Sequence, residues 1–275
     1  MICAWKELLA VLPPYLRQEV DSLGKNTGQE LRLRLGKPPS IVLPGKHHSF
    51  GKTITADDLN FVVNTACRYS PWTAGSAANG YITAPGGHRI GICGEIMEKD
   101  GQMAGFRTVR SLNIRIARDF PGIGTSLAGL GGNILIIGRP GSGKTTLLRD
   151  LIRQRSVKET VAVVDERGEL FPPGLATGHG VDILTGCGKP LGIEMLLRTM
   201  GPDTIAVDEI TAAGDCEGLV QAGWCGVRLL ATVHGAGVRD LRSRKVYKPI
   251  LESGLFDTLV ILAEDKSYRT ERMTL

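Results

Sequence analysis

The sequence predicts an α/β fold built on a parallel sheet, preceded by a smaller α+β domain. Three observations predict it. After residue 130, short unbroken apolar runs recur: "NILIIG", "TVAVVDE", "TIAVDE", "VRLLATVH" and "TLVILAE", with helical stretches between them. Strands buried on both faces read as continuous apolar runs, and their alternation with helices is the pattern of βαβ units. Before that point the pattern is mixed: Leu31, Leu33 and Leu35 alternate with Arg32 and Arg34, as in a half-buried strand. Between the two lies "DFPGIGTSLAGLGGN", rich in glycine and small residues, which marks a boundary. The division expected is residues 1–120, an α+β domain ending in an arginine-rich linker segment, and residues 121–275, the α/β domain.

Taken in order, "MICAWKELLAVLPPYLRQEV" reads as a short amphipathic helix. It carries an acidic residue and a Pro-Pro where a signal peptide needs an unbroken apolar core. "GKPP" turns the first strand into a second at Ile41–Leu43. "TADDLNFVVNTACRYS" is a helix with Thr55 as N-cap and acidic residues in its first turn. "GYITAPGGHRIGICGEIM" is a hairpin turning at "PGG", and "GFRTVRSLNIRIARDF" is a further extended segment.

The 275 residues are 42% hydrophobic, as in a globular protein. No apolar run reaches the roughly 18 residues of a membrane span. The six cysteines, Cys3, Cys67, Cys93, Cys187, Cys216 and Cys225, show no CxxC spacing, so reduced, mostly buried thiols are expected. Residues 1–130 hold 15 Lys and Arg against 10 Asp and Glu, while the remainder balances at 18 of each. All the excess positive charge therefore lies at the front. An anionic partner, a phosphate reached from outside the second domain, and a solvated face each account for it.

In an open parallel sheet, ligands bind at the carboxyl ends of the strands, so the residues ending each run carry the chemistry. "NILIIGRPGSGKTTLLRD" holds Gly138, Arg139, Pro140, Gly141, Ser142, Gly143, Lys144, Thr145 and Thr146 between a strand and a helix, the full P-loop pattern in its required context. Glycines let backbone N–H groups curl around an anion, and the helix presents its positive end to it. Lys144 is placed to reach the β and γ phosphates of ATP, and the Thr145 hydroxyl to ligate Mg²⁺. The domain is thus expected to be a RecA-like P-loop NTPase. Asp208 ends the run "DTIAVDEI" as a second Mg²⁺ ligand, direct or through water. Glu209, next to it, is placed to orient or deprotonate an attacking water. In "VVDERGEL", Asp165, Glu166 and Glu169 crowd one strand end with Arg167 among them, a set suited to placing water and Mg²⁺. His234 ends "VRLLATVH" on the same edge, where it would sense the γ-phosphate.

These motifs, in this order, resemble the secretion ATPases of type II and type IV systems. That family pairs the P-loop with an acidic box, a P-D-x-I-x-V-x-E segment and a T-x-H box, matched here by "GRPGSGKTT", "VVDERGEL", "GPDTIAVDEI" and "ATVHG". "ELRLRLGKPPSIV", "NGYITAPGGHRIGICGEI" and "FRTVRSLNIRIAR" extend the likeness over nearly the whole length, to a branch of the family that acts in sporulation. The resemblance implies a homo-hexameric ring that hydrolyses ATP with Mg²⁺. It would energise a channel complex between mother cell and forespore from the cytoplasmic, mother-cell side of the membrane, docked on membrane channel proteins. It also implies roles for Glu166 and Glu169 as the acidic box and His234 as the histidine box. Arginines of the first domain would reach nucleotide across a domain or subunit interface, with Arg89, Arg107, Arg110 and Arg115 as candidates. Two departures stand out: Asp208 where the family often has glycine, and Gly235 after the histidine where many members have Thr or Asn. The motifs leave two other readings, a nucleic-acid-binding P-loop ATPase and a non-motor nucleotide-dependent assembly platform. The first domain's few aromatics argue against the former.

Overall fold

The computed structural model describes residues 3–24, 27–43, 45–68, 80–99, 101–172 and 175–273. The chain forms two compact units, Met1–Asp119 with Pro172–Leu175, and Phe120–Phe171 with Ala176–Leu275.

The first unit is α+β. Its sheet is antiparallel throughout, in the order β3-β2-β1-β6-β5-β4. The strands are β1 (Glu30–Arg34), β2 (Ser40–Leu43), β3 (Lys46–Ser49), β4 (Tyr81–Thr83), β5 (Arg89–Lys99) and β6 (Gln102–Arg115). Alternation decides which face is buried: Leu31, Leu33, Ile41, Ile90, Leu112 and Ile114 point into one core. Helices α1 (Trp5–Val11), α2 (Pro14–Gly24) and α3 (Ala56–Ala66) cover it with Trp5, Leu8, Leu16, Val20, Leu59 and Val62. The N-terminal segment is two helices where the sequence suggested one. Pro13 and Pro14 separate them: proline lacks the N–H that would continue α1, and its fixed φ suits the start of α2. Thr55 caps α3 in a reciprocal box with Asp58. Tyr69 and Ser70, the end of the expected helix, lie outside the described residues. Strand β3, "KHHS", is exposed at every position, so no apolar signal marks it in the sequence.

One buried histidine fastens this unit. His88 is fully buried, and its Nδ1 accepts the Ala117 N–H at 3.1 Å. The other nitrogen, Nε2, therefore carries the proton and donates to the Ala4 carbonyl at 2.8 Å. The ring thus joins the start of the chain to the segment after β6.

The second unit is α/β. Its sheet runs β13-β12-β7-β11-β10-β8-β9. The strands are β7 (Ile134–Gly138), β8 (Val161–Asp165), β9 (Val181–Thr185), β10 (Thr204–Ile210), β11 (Arg228–His234), β12 (Thr258–Leu262) and β13 (Tyr268–Arg272). All pairs are parallel except β12 with β13. Central strands alternate into two cores: Ile134 and Ile136 face α4 (Lys144–Arg155), through Leu147, Leu148, Leu151 and Ile152. Leu135 and Ile137 face the opposite core, which includes Ile193 and Leu196 of α5 (Lys189–Thr199) and Leu219 of α6 (Ala213–Trp224). Each buried aliphatic side chain contributes about 1.5 to 3 kcal/mol. The two edge strands, β9 and β13, escape the apolar-run criterion because neither is buried on both faces. Two short helices, α7 (Val238–Ser243) and α8 (Lys248–Glu252), complete the unit.

Burial pulls the pKa of His88 below the ordinary histidine range, opposed by its bond to Ala4 and by Glu7. The unfolded chain then takes up a proton, as pH falls through about 6.5, that the folded chain does not. Stability is full above that pH and declines below it. Thermal melts across this range should show the decline, and His88→Gln should flatten it at the cost of a lower midpoint at neutral pH. Equal pH dependence in the variant would remove His88 as its source.

Candidate functional site

Four carboxyl strand ends meet at one edge of the second unit. Strand β7 stops at Gly138, and the loop Gly138–Gly143 leads into α4 at Lys144. Gly141 and Gly143 adopt φ of +78° and +100°, left-handed conformations that glycine takes without a Cβ penalty. Among the described residues, no atom beyond their chain neighbours lies within 4 Å of where a Cβ would stand on either, so their backbone faces open space. Ser142 is buried, and its hydroxyl has no partner among the described residues. Arg139 pairs with Glu264 at 2.8 Å on the exposed side. Thr146 follows Thr145 in the first turn of α4.

Strand β11 lies between β7 and β10, with His234 in register with Gly138. Lys144 Nζ donates to the Arg139 carbonyl at 3.1 Å and to His234 Nδ1 at 3.0 Å. An ammonium only donates, so Nδ1 accepts and Nε2 carries the proton. That nitrogen reaches Glu209 Oε1 at 2.9 Å, and Arg167 Nη1 holds Glu209 Oε2 at 3.2 Å. The result is a chain, Lys144–His234–Glu209–Arg167, running along the edge. Burial pulls the Lys144 ammonium below the usual lysine range, and Asp208 and Glu209 draw it back up.

Asp208 and Glu209 are adjacent in sequence and would point to opposite faces of a regular strand. A shift in the β10–β11 ladder between Val207 and Ile210 resolves this, with Glu209 at φ +55°. A non-glycine residue in that region costs on the order of 1 kcal/mol or more and persists only where its surroundings enforce it. The enforcing group is Thr232, fully buried on β11. Its hydroxyl accepts the Glu209 N–H at 2.8 Å and donates to Asp208 Oδ1 at 2.5 Å. Asp208 Oδ2 accepts from Thr145 Oγ1 at 2.7 Å.

The acidic cluster divides in two. Asp165 is buried and accepts the N–H groups of Glu169, Leu170 and Phe171. Burial raises its pKa, the three N–H groups lower it, and Asp208 raises it further. Its carboxylate thus folds the loop after β8, which Arg149 of α4 also holds through the Glu169 and Leu170 carbonyls. Glu166 pairs with the buried Lys189 at 2.6 Å, at the start of α5. Asp165, Glu166, Arg167, Glu169, Lys189, Asp208 and Glu209 line one small cleft. Sequence reasoning gave no role to Thr232 or Lys189. Thr232 was signalled by its spacing: two residues before His234, it shares that strand face. Lys189 carried no signal, because its partner is 23 residues away.

Of the four arginines of the first unit, Arg89 and Arg115 face each other across β5 and β6, and Arg107 and Arg110 lie further along β6. Arg89 stacks its guanidinium over Tyr81, 3.9 Å from the ring centroid. Arg107 pairs with Glu95 at 3.0 Å and Arg115 with Glu30 at 3.8 Å. Arg110 is an exposed side chain of β6.

A glycine loop closed by a lysine, a hydroxyl on a strand-end carboxylate, and a parallel sheet carrying both define a RecA-like P-loop fold. Solved structures agree on the fold. The chain resembles the pilus retraction motor PilT, solved with bound ADP, at a TM-score of 0.62 and 13% identity, over 95% of this chain and 78% of that one. It resembles the Legionella pneumophila ATPase DotB at a TM-score of 0.60 and 17% identity, over 95% and 80%. The chain belongs to the family "Sporulation stage III, protein AA", whose model matches residues 6–272. A relative in Bacillus subtilis (strain 168), stage III sporulation protein AA, is 32% identical over 280 residues, 94% of this chain and 91% of that protein. Among the described residues, no helix is long and apolar enough to cross a membrane.

Replacing Thr232 by valine keeps the shape but strands the Glu209 N–H and frees Asp208. Thr232→Val should destabilise the chain by roughly 2 to 3 kcal/mol, while Thr232→Ser stays near the parent. Denaturant unfolding reads this, and a larger loss in Thr232→Ser than in Thr232→Val would show that packing, not the hydroxyl, sets the cost.

Proposed function

We propose that this chain is an ATPase of the secretion type. The observation that carries this is the linked set at the strand ends: Lys144 and Thr145 of the glycine loop joined to Asp208, Glu209 and His234. The open backbone of Gly141 and Gly143 and the adjacent Thr145 hydroxyl and Asp208 carboxylate fit a nucleoside triphosphate with one Mg²⁺. Residues Gly138 to Thr146 would hold the phosphates, and Thr145 and Asp208 the metal, a small oxygen-donor set of the kind Mg²⁺ takes alongside phosphate oxygens. When bound, Mg²⁺ neutralises charge on the transferring phosphoryl group.

The chain's own residues supply the rest. Phosphate oxygens compete with Arg139 O and His234 Nδ1 for the Lys144 ammonium. Once Lys144 turns to phosphate, His234 loses one of its two partners, and Glu209 feels the change through Nε2. Glu209 is the group to orient and deprotonate water, and to do so it must shed or share Arg167 and His234, which engage both of its oxygens. Glu166 and Glu169 stand beside it as the acidic box. A trans-acting arginine from the first unit of a neighbouring copy, one of Arg89, Arg107, Arg110 and Arg115, would complete the charge compensation in a homo-hexamer. Membership of a family named for sporulation stage III supports a role in sporulation. The proposed role is to energise assembly or transport through a channel complex between mother cell and forespore, at the cytoplasmic face of the membrane. The clamp on Glu209 also suits an assembly platform with slow basal turnover.

Steady-state ATP hydrolysis and nucleotide binding by the full chain test the assignment. Lys144→Ala should abolish binding. Glu209→Gln should keep binding and lower turnover by about 10² to 10⁴-fold. His234→Ala should keep affinity and lose turnover or its response to assembly. Turnover unchanged by Glu209→Gln would overturn the mechanism.

A further inference from the structure

The opposite edge of the second unit carries a cavity that the phosphate loop does not use. It has a volume of ≈ 350 Å³ and lies at the amino ends of the strands, where Arg228 opens β11 and Glu159 precedes β8. The glycine-rich segment Ala128–Gly132 forms one wall, and Arg155, Lys158 and Arg228 bring three cations to it. Small-molecule sites begin at about 300 Å³.

The charges do not balance. Glu159 is the one carboxylate on the wall, and its Oε2 is taken by Arg228 at 3.1 Å and by the Thr204 hydroxyl at 2.7 Å. Arg155, at the end of α4, is only 8% exposed. Its Nη2 donates to the Gly132 carbonyl at 2.6 Å, but its Nη1 is buried without a partner. Lys158 is exposed and has no ion pair among the described residues. Arg228 acts on Arg155 as a like charge, and burial and that neighbour together pull the Arg155 pKa down against Glu159. A buried guanidinium beside two more cations, with one carboxylate between them, leaves this wall with an excess of positive charge that a bound anion offsets. Gly129 and Gly131 leave room for it: nothing lies within 4 Å of where their side chains would stand.

We propose that this cavity is a second anion site, taking the phosphate or carboxylate group of a small molecule between Arg155, Lys158 and Arg228. It is separate from the nucleotide site: helix α4 runs its 12 residues from Lys144 at one edge to Arg155 at the other.

Inorganic phosphate and, separately, citrate are titrated calorimetrically into the full chain carrying Lys144→Ala, which disables the phosphate loop. At least one should saturate a single site in that background. Adding Lys158→Gln, an exposed change that leaves the fold alone, should weaken it about tenfold, the scale of one lost charge-assisted bond. Arg155→Lys, which keeps the charge but loses the fork, should weaken it further with an unchanged circular dichroism spectrum. Tighter phosphate identifies a phosphorylated ligand, and tighter citrate a carboxylate. Saturation by neither, or binding indifferent to Lys158→Gln, would overturn the proposal.

Discussion

The hydroxyl of Thr232 is the group on which the arrangement at the strand ends depends. A parallel strand sends neighbouring side chains to opposite faces, yet this site needs Asp208 and Glu209 on one edge. The ladder between β10 and β11 slips to allow it, and Glu209 enters a left-handed conformation. Thr232 closes the gap by taking the Glu209 N–H and holding Asp208. The strain is thus local and its restraint is one buried side chain. Asp208 in turn positions Thr145 at the start of α4, so the strand slip and the glycine loop are parts of one hydrogen-bonded unit.

Much of this was legible in the sequence, because the fold writes its central strands as apolar runs. Those runs, the glycine loop between strand and helix, and Asp208, Glu209 and His234 at strand ends follow from sheet periodicity and phosphate chemistry. Three of the four edge strands were not legible. Lys46–Ser49, Val181–Thr185 and Tyr268–Arg272 are half-buried or exposed, and polar residues there leave no periodic mark. Long-range partners were also hidden. Nothing local says that Lys189 meets Glu166, or that Arg167 reaches Glu209 across 42 residues. Asp165 shows the limit of reading by residue type. Its position among acids suggested chemistry, whereas its burial and three backbone N–H partners make it the staple of a loop.

His234 joins the two halves of the site. An imidazole has two nitrogens with distinct roles, and here one accepts from the phosphate-loop lysine while the other donates to the strand-end glutamate. One side chain therefore links Lys144 to Glu209. Register makes this possible: pairing of His234 with Gly138 sets the ring beside the loop, and β10 on the other side brings Glu209 within reach. Arg167 adds a second hold on the same carboxylate from the loop that Asp165 fastens. Two independent elements thus restrain Glu209, and the proposed function requires that a ligand drawing off Lys144 loosen one of them.

The side-chain nitrogens of His234 test this coupling most directly. In ¹⁵N-histidine-labelled protein, without nucleotide, its resonances should report the tautomer protonated at Nε2, with Nδ1 accepting a hydrogen bond. Saturation with Mg²⁺ and a non-hydrolysable ATP analogue should shift Nδ1 most, as Lys144 turns to phosphate, and His234→Ala should identify the signal. A ring protonated at Nδ1, or resonances unmoved when nucleotide saturates the chain, would contradict the account.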